Sequence, residues 1–385
     1  MFSRTVYLLA CISLFTDMAS EMLYPVMPAY LKHIGFSVAL IGLLEGLAEA
    51  VAGLSKGYFG KMSDRMGRRA PFIQWGYGLS ALSKPMLAFW AYPLWVFLAR
   101  TTDRLGKGLR SGARDALLSE EAAPGALGRV FGFHRAMDTL GAVLGPLCAL
   151  VYLYFFPEDY IRLFYLAFIP GLLAVGATLF LRDQSEPRQE KPASASFFAF
   201  TGYWKTADPA YRRLVGGLLV FALINSSDVF LLLRARESGL DDATVIGVYI
   251  LYNLTYALAA YPMGIFADRL GLKKVFILGL LLFAAVYAGF AWVQGLPAFV
   301  GLFLLYGLYA AATEGISKAW ISKVSGREDR ATAIGFYTGF QSLAALLAST
   351  LMGAVWHFWG SAPAFGLAAA GTVGVAVYMA RAIKN

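Results

Sequence analysis

The chain has 385 residues, of which 58% are hydrophobic and only 15% charged, with a mean hydropathy of +0.60. That composition excludes an ordinary soluble protein of this length. The net charge of +9 does not indicate nucleic acid, because the basic residues fall at the ends of apolar runs, where they set membrane topology. Cys11 and Cys148 stand in apolar contexts without a CxxC, and His33, His134 and His357 have no metal-ligand spacing. No metal, cofactor or catalytic centre is expected.

Twelve spans are predicted, at roughly 5–31, 37–60, 70–91, 94–117, 127–155, 161–182, 213–234, 242–267, 275–294, 297–321, 331–358 and 362–382. The first opens after Arg4 and is interrupted by Asp17 and Glu21, then runs through Pro25 and Pro28 to Lys32. It reads as a retained span rather than a cleaved signal. Asp17 and Glu21 share one helical face. They are candidates for proton coupling, and equally for neutralising a basic face elsewhere. In the second span Glu45, Glu49 and Lys56 form a stripe. In the third, Lys84 beside Pro85 is expected to snorkel outward.

The fourth span holds RTTDRLGKGLRSGARD, residues 100–115. At about 100° per residue, Arg100, Asp103, Arg104, Lys107, Arg110, Arg114 and Asp115 fall within roughly 140° of one face. Charge at membrane depth usually faces a bundle interior or a water-filled cavity. That face is either a cavity lining or a salt-bridge spine. In the fifth span Gly132, Gly141 and Gly145 are read as one close-packing face beside Pro146, and His134 and Asp138 are spaced i,i+4 next to Arg135. Asp228, after Asn225-Ser226-Ser227, gives the seventh span a polar patch. Glu314 and Lys318 on the tenth are read as a mutual i,i+4 pair.

Lys and Arg cluster after the even-numbered spans, at Lys61 to Arg69, Arg182 to Arg213, Arg269 to Lys274 and Lys323 to Arg330. The bias places both termini in the cytoplasm. The expected organisation is an N-terminal six-span half over residues 1–182, a cytoplasmic linker over 183–212 and a C-terminal six-span half over 213–385. Within the linker, the aromatic stretch FFAFTGYWK reads either as a segment on the inner membrane surface or as a plain loop.

The halves repeat each other. Gly60-Lys-Met-Ser-Asp64-Arg65-Met-Gly67-Arg68-Arg69 ends the second span, and Gly264-Ile-Phe-Ala-Asp268-Arg269-Leu-Gly271-Leu-Lys273 ends the eighth. VFGFHRAMDTLGA in the fifth span matches AIGFYTGFQSLAA in the eleventh. The chain thereby resembles the major facilitator superfamily of secondary transporters, whose loop signature G-x-x-x-D-R-x-G-R-R is complete in the first copy and has Leu272 in place of an arginine in the second. Gly132-x8-Gly141-x3-Gly145-Pro146 resembles that superfamily's antiporter motif, with Ala149-Leu150 where the motif closes on glycines. The sequence is also similar to a bacterial group with TD-x3-E, DR-x-GKG-x-R and EG-x2-KA in spans one, four and ten, a likeness that implies no substrate.

The resemblance implies an all-α polytopic membrane protein of twelve helices, in two pseudo-symmetric halves around a central cavity lined by spans one, four, seven and ten. It implies gating by Gly60, Asp64, Arg65, Gly67, Arg68, Gly264, Asp268, Arg269 and Gly271. Asp64 would meet the start of the eleventh span, and Arg65 or Arg68 would reach Asp115. Arg104, Lys107, Arg110, Asp228, Glu314 and Lys318 are the candidate solute contacts, and Asp17, Glu21, Asp138 and His134 the candidates for proton coupling. Gly106-Lys107-Gly108 lacks the spacing of an ATP site. The expected function is therefore secondary transport of a small anionic or zwitterionic solute across a bacterial inner membrane, coupled to an ion gradient with protons favoured, tilted toward export, by a monomer. Proton-driven efflux of drugs or lipophilic cations is the alternative. A non-transporting membrane receptor or assembly factor is the reading from another class.

Overall fold

In the computed structural model, the described residues are 2–183, apart from 25, 28, 29, 32, 33, 36 and 37, together with 198–382. Glu45 and Glu49 lie in the opening part of a helix, residues 38–50, whose side chains are outside the described set. Pro25, Pro28, Lys32 and residues 184–197 of the central linker also fall outside it.

The described residues form helices and no strand. The first six spans are α1 (Arg4–Glu21), α2 (Val38–Met66), α3 (Ala70–Phe89), α4 (Pro93–Glu120), α5 (Leu127–Phe155) and α6 (Tyr160–Thr178). The seventh is broken into α7 (Pro209–Ala222) and α8 (Val229–Glu237). There follow α9 (Asp242–Leu270), α10 (Leu272–Trp292), α11 (Leu296–Val324), α12 (Arg330–Trp359) and α13 (Ser361–Ala382). The chain is a polytopic membrane protein of twelve spans in two halves.

Local chemistry sets many of the starts. The side chains of Ser3, Asp159, Asp208 and Asp241 accept from backbone amides in the first turns of α1, α6, α7 and α9. Pro209 follows Asp208 at the first helical position, where no amide is needed. Among the described residues, seven helices hold a window long and apolar enough to cross a bilayer. In α1 and α4 charged residues lower that window, the first part of α2, residues 38–50, lies outside the described side chains, and the seventh span is interrupted.

Two compact units emerge. One comprises Met1–Ala122, Met137–Thr206 and Ser325–Gly339; the other Ala123–Ala136, Ala207–Val324 and Phe340–Asn385. Each holds the opening turns of the helix that continues in the other, α12 and α5 respectively. In the first unit α4 packs against α2 and α3, and α6 against α1 and α3. In the second α11 packs against α9 and α10, and α13 against α10. The internal repeat is thus a repeat of packing as well as of sequence. One apolar cluster of the first unit gathers Leu23, Met27, Tyr30, Leu87, Val96 and Phe164, with Tyr30 edge-on to Phe164 at 4.8 Å. In the second, Phe290 stacks on Phe365 at 5.6 Å and meets Phe299 and Phe303 edge-on. Large apolar side chains such as Leu258 and Trp292 are exposed, as a lipid-facing surface requires.

Candidate functional site

The two loop motifs build the same object, once in each unit. Gly67 and Gly271 adopt φ of 62° and 101°, a left-handed turn that a glycine enters without steric cost. In the first unit the Asp64 carboxylate accepts from the amides of Ala331 at 3.3 Å and Thr332 at 2.6 Å, and from the Thr332 hydroxyl at 2.6 Å. In the second, Asp268 accepts from the amides of Gly128 at 2.7 Å and Arg129 at 2.9 Å. Each carboxylate therefore caps the exposed amides of a helix start, α12 or α5, and complements its dipole. The glycines one turn earlier let the backbones touch. A Cβ on Gly60 would strike the Ala331 carbonyl, and one on Gly264 the Gly128 carbonyl.

The charged shells differ. Arg69 is buried, with Nη1 2.6 Å from Asp64 and Nη2 3.1 Å from Glu120. Asp183 accepts from the Arg69 and Ala70 amides at 2.7 and 2.9 Å, which fixes the start of α3. This corrects two expectations. Arg65 and Arg68 are exposed, because the Gly67 turn carries the chain so that Arg69, not its neighbours, enters the interior. The acid it reaches is Glu120; Asp115 lies 1% exposed and is paired with Arg114 at 2.9 Å. In the second unit Arg269 is exposed, and Asp268 pairs with Arg129, itself 47% exposed, at 3.1 Å.

The α4 charges are woven into the first unit. Lys84 does not snorkel: it is 3% exposed, with its ammonium 2.7 Å from Asp103 and 3.1 Å from the Ser20 hydroxyl. A buried partner outweighs the reach to water. Arg110 donates to Ser80 at 2.6 Å with its guanidinium 4.4 Å above the Tyr77 ring. Arg114 donates to Ser13 at 3.3 Å, Ser13 donates to Asp138 at 2.6 Å, and Asp138 is hydrogen-bonded to Asp17. Arg104 is half-buried and Lys107 exposed; Lys107 acts electrostatically on Asp17 and Glu21, and Arg104 on Glu21. At Asp103, Arg110 and Arg114 this face is therefore a buried polar spine.

The fifth-span glycines do not share a face. Nine residues are two and a half turns, so Gly132 lies against Ala260 in the second unit, while Gly141 and Gly145 lie against Leu14 and Met18 of α1 in the first. The helix continues through Pro146. Glu314 is paired with Arg135 at 2.8 Å rather than with Lys318, since α11 and α5 present these side chains to each other. His134 is buried. Asp228 sits at the break of the seventh span and accepts from Tyr306 at 2.7 Å and from Tyr252.

Sequence reasoning missed the linker's end. Residues Ala199–Gly202 form a 3-10 turn and Tyr203–Thr206 a helical turn. Phe200, 2% exposed, fills the space over Gly57, and Trp204 stacks on Phe336 at 5.6 Å. Within the aromatic stretch Phe200, Tyr203 and Trp204 pack against the protein, while Phe198 is exposed.

The family model described as Major Facilitator Superfamily matches residues 9–248 and 213–385. An uncharacterised MFS-type transporter of Methanocaldococcus jannaschii is 32% identical over 360 residues, covering 92% of this chain and 89% of that protein. Among solved structures, the human organic anion transporter MFSD10 aligns with a TM-score of 0.82 at 17% identity, covering 98% of this chain and 99% of that one. The Escherichia coli fucose:proton symporter FucP aligns with a TM-score of 0.80 at 11% identity, over 99% and 98%. The two structures bear on the fold; the family model and the archaeal relative settle membership, and the chain belongs to the major facilitator superfamily of transporters.

Proposed function

We propose that this secondary transporter carries a small anionic or zwitterionic organic solute across a bacterial inner membrane by alternating access, as a monomer, coupled to protons and in the direction of export. The observation that carries the reading is the α4 face, on which Lys107 is exposed and Arg104 half-buried. Cations at membrane depth with exposed donors suit a carboxylate or phosphate group. Arg110 then positions the face through Tyr77 and Ser80. In the second unit Asp228, Glu314 and Lys318 are the proposed solute contacts. Coupling is assigned to Asp17 and Asp138, with Glu21 and His134 as neighbours in the chain. A hydrogen bond between two carboxyl groups holds one proton, and separating the pair releases or exchanges it. Export is favoured by the partial antiporter motif, Gly132 to Pro146. The loop-motif contacts at Asp64 and Asp268 are the proposed gate.

A thermal-shift screen of the purified protein against carboxylate and phosphate metabolites at two pH values tests this, since ligand stabilisation follows affinity. Anions should stabilise the wild type. Arg104→Gln with Lys107→Gln should lose that response, and Asp138→Asn its pH dependence. Equal anion stabilisation in the double variant would refute the solute assignment. Proteoliposome flux of the best ligand then sets direction.

A further inference from the structure

The second unit already shows how this fold holds a cation. Arg135 is paired with Glu314 at 2.8 Å, and its guanidinium lies 5.7 Å from the centroid of the Tyr256 ring. One turn earlier on α9, Tyr252 stacks on Tyr256 at 6.3 Å. Tyr252 and Tyr306 both donate to the Asp228 carboxylate, and their rings are 5.0 Å apart. So a carboxylate beside tyrosine occurs twice in adjacent turns. In the first set a guanidinium completes the arrangement. In the second, among the described residues, no basic side chain is paired with Asp228.

The seventh-span break adds acceptors. Helix α7 ends at Ala222, leaving carbonyl groups without helical partners at the negative end of its dipole. The side-chain oxygen of Asn225 is buried and receives no hydrogen bond, while its amide donates to Tyr309 at 3.0 Å. Asp228 stands at the N-cap of α8 yet makes no capping bond there, so its carboxylate is turned to the tyrosines. It retains partial exposure. The break thus offers a partly exposed carboxylate, an unpartnered amide oxygen and tyrosine rings.

We propose that the broken seventh span is a subsite for an organic ammonium group, bound by Asp228 and the faces of Tyr252 and Tyr306. Aromatic faces beside a carboxylate favour a soft, weakly hydrated cation over a small metal ion, which would need several more oxygens. The inference rests on the transporter reading and narrows its solute to one that bears a cationic group.

The experiment titrates the purified full-length protein with choline, ethanolamine and their uncharged carbon isosteres at constant ionic strength, and reads thermal stabilisation. The charged compounds should stabilise and the isosteres should not. Asp228→Asn should weaken the apparent affinity by about ten-fold or more, and Tyr252→Ala by several-fold, while Gly78→Ala, on α3 with no atom within 4 Å of the added methyl, leaves it unchanged. Tyr252→Ala carries the test alone if Asp228→Asn does not fold. No charge-dependent stabilisation of the wild type, or equal stabilisation of the folded variants, overturns the subsite. Anion stabilisation lost in the Arg104 and Lys107 variants would meanwhile leave the transporter reading standing.

Discussion

Replacing Asp64 by asparagine tests how the loop motif holds the start of α12. The carboxylate accepts three bonds from Ala331 and Thr332 and pairs with Arg69 at 2.6 Å, with both side chains nearly sealed from solvent. Asparagine keeps one acceptor oxygen, so the bonds from Thr332 are weakened, not all lost. The buried Arg69 keeps Glu120 at 3.1 Å. Breaking a buried pair outright costs about 3–5 kcal/mol, and the retained partners bring the expected cost to about 3 kcal/mol. At about 1.4 kcal/mol per tenfold, local opening at residues 330–334 should rise by roughly two orders of magnitude. The equivalent change at Asp268 leaves a smaller deficit, because its partner Arg129 is 47% exposed and screened. An exposed pair is worth about 0–1 kcal/mol, so Asp268→Asn should cost about 1 kcal/mol. Hydrogen–deuterium exchange of the peptides that begin α12 and α5, measured in detergent, reads both effects. If α5 opens as much in Asp268→Asn as α12 does in Asp64→Asn, the burial argument fails.

Three further outcomes follow from the packing. Gly335→Ala puts a methyl within 2.5 Å of the Lys56 carbonyl and should destabilise by about 1–3 kcal/mol in denaturant titration, whereas Gly78→Ala, with no atom within 4 Å, should be neutral or stabilising. Lys84→Met strands the buried Asp103 and should cost about 3–5 kcal/mol; adding Asp103→Leu should recover part of it, and strict additivity would show that the pair is not coupled. Trp204→Ala removes the stack on Phe336 and should hasten both exchange at the start of α12 and tryptic cleavage after the exposed Lys205; unchanged rates would mean the linker end does not brace that helix.

The helices, their number and the repeat were legible in the sequence, because hydropathy, basic flanks and glycine turns are local signals. The pairings within the membrane were not. Lys84 and Asp103 are 19 residues apart and Asp228 and Tyr306 are 78 apart, and nothing in either neighbourhood names the partner. The split of the fifth-span glycines could have been found from helical arithmetic alone, since Gly132 and Gly141 differ by half a turn beyond two. The linker's aromatics carried an ambiguous signal: Phe200 finds its place only because Gly57, far earlier in the chain, leaves a ring-sized gap.

The repeat also explains why one copy of the motif could be read and its charge shell could not. Backbone amides and a carboxylate suffice to cap a helix, so Asp64 and Asp268 do the same work with different neighbours. The arginine pairing needs more. Among the described residues, the acid that meets Arg69 has no counterpart in the second unit: α4 ends on Glu120, and α11 ends on Val324. Lys273, which replaces Arg69 in the second copy, donates instead to the Ala380 carbonyl. The first contact is consequently a buried network and the second a backbone cap with an exposed arginine. A motif fixes the capping geometry; the strength of each contact is decided by residues outside it.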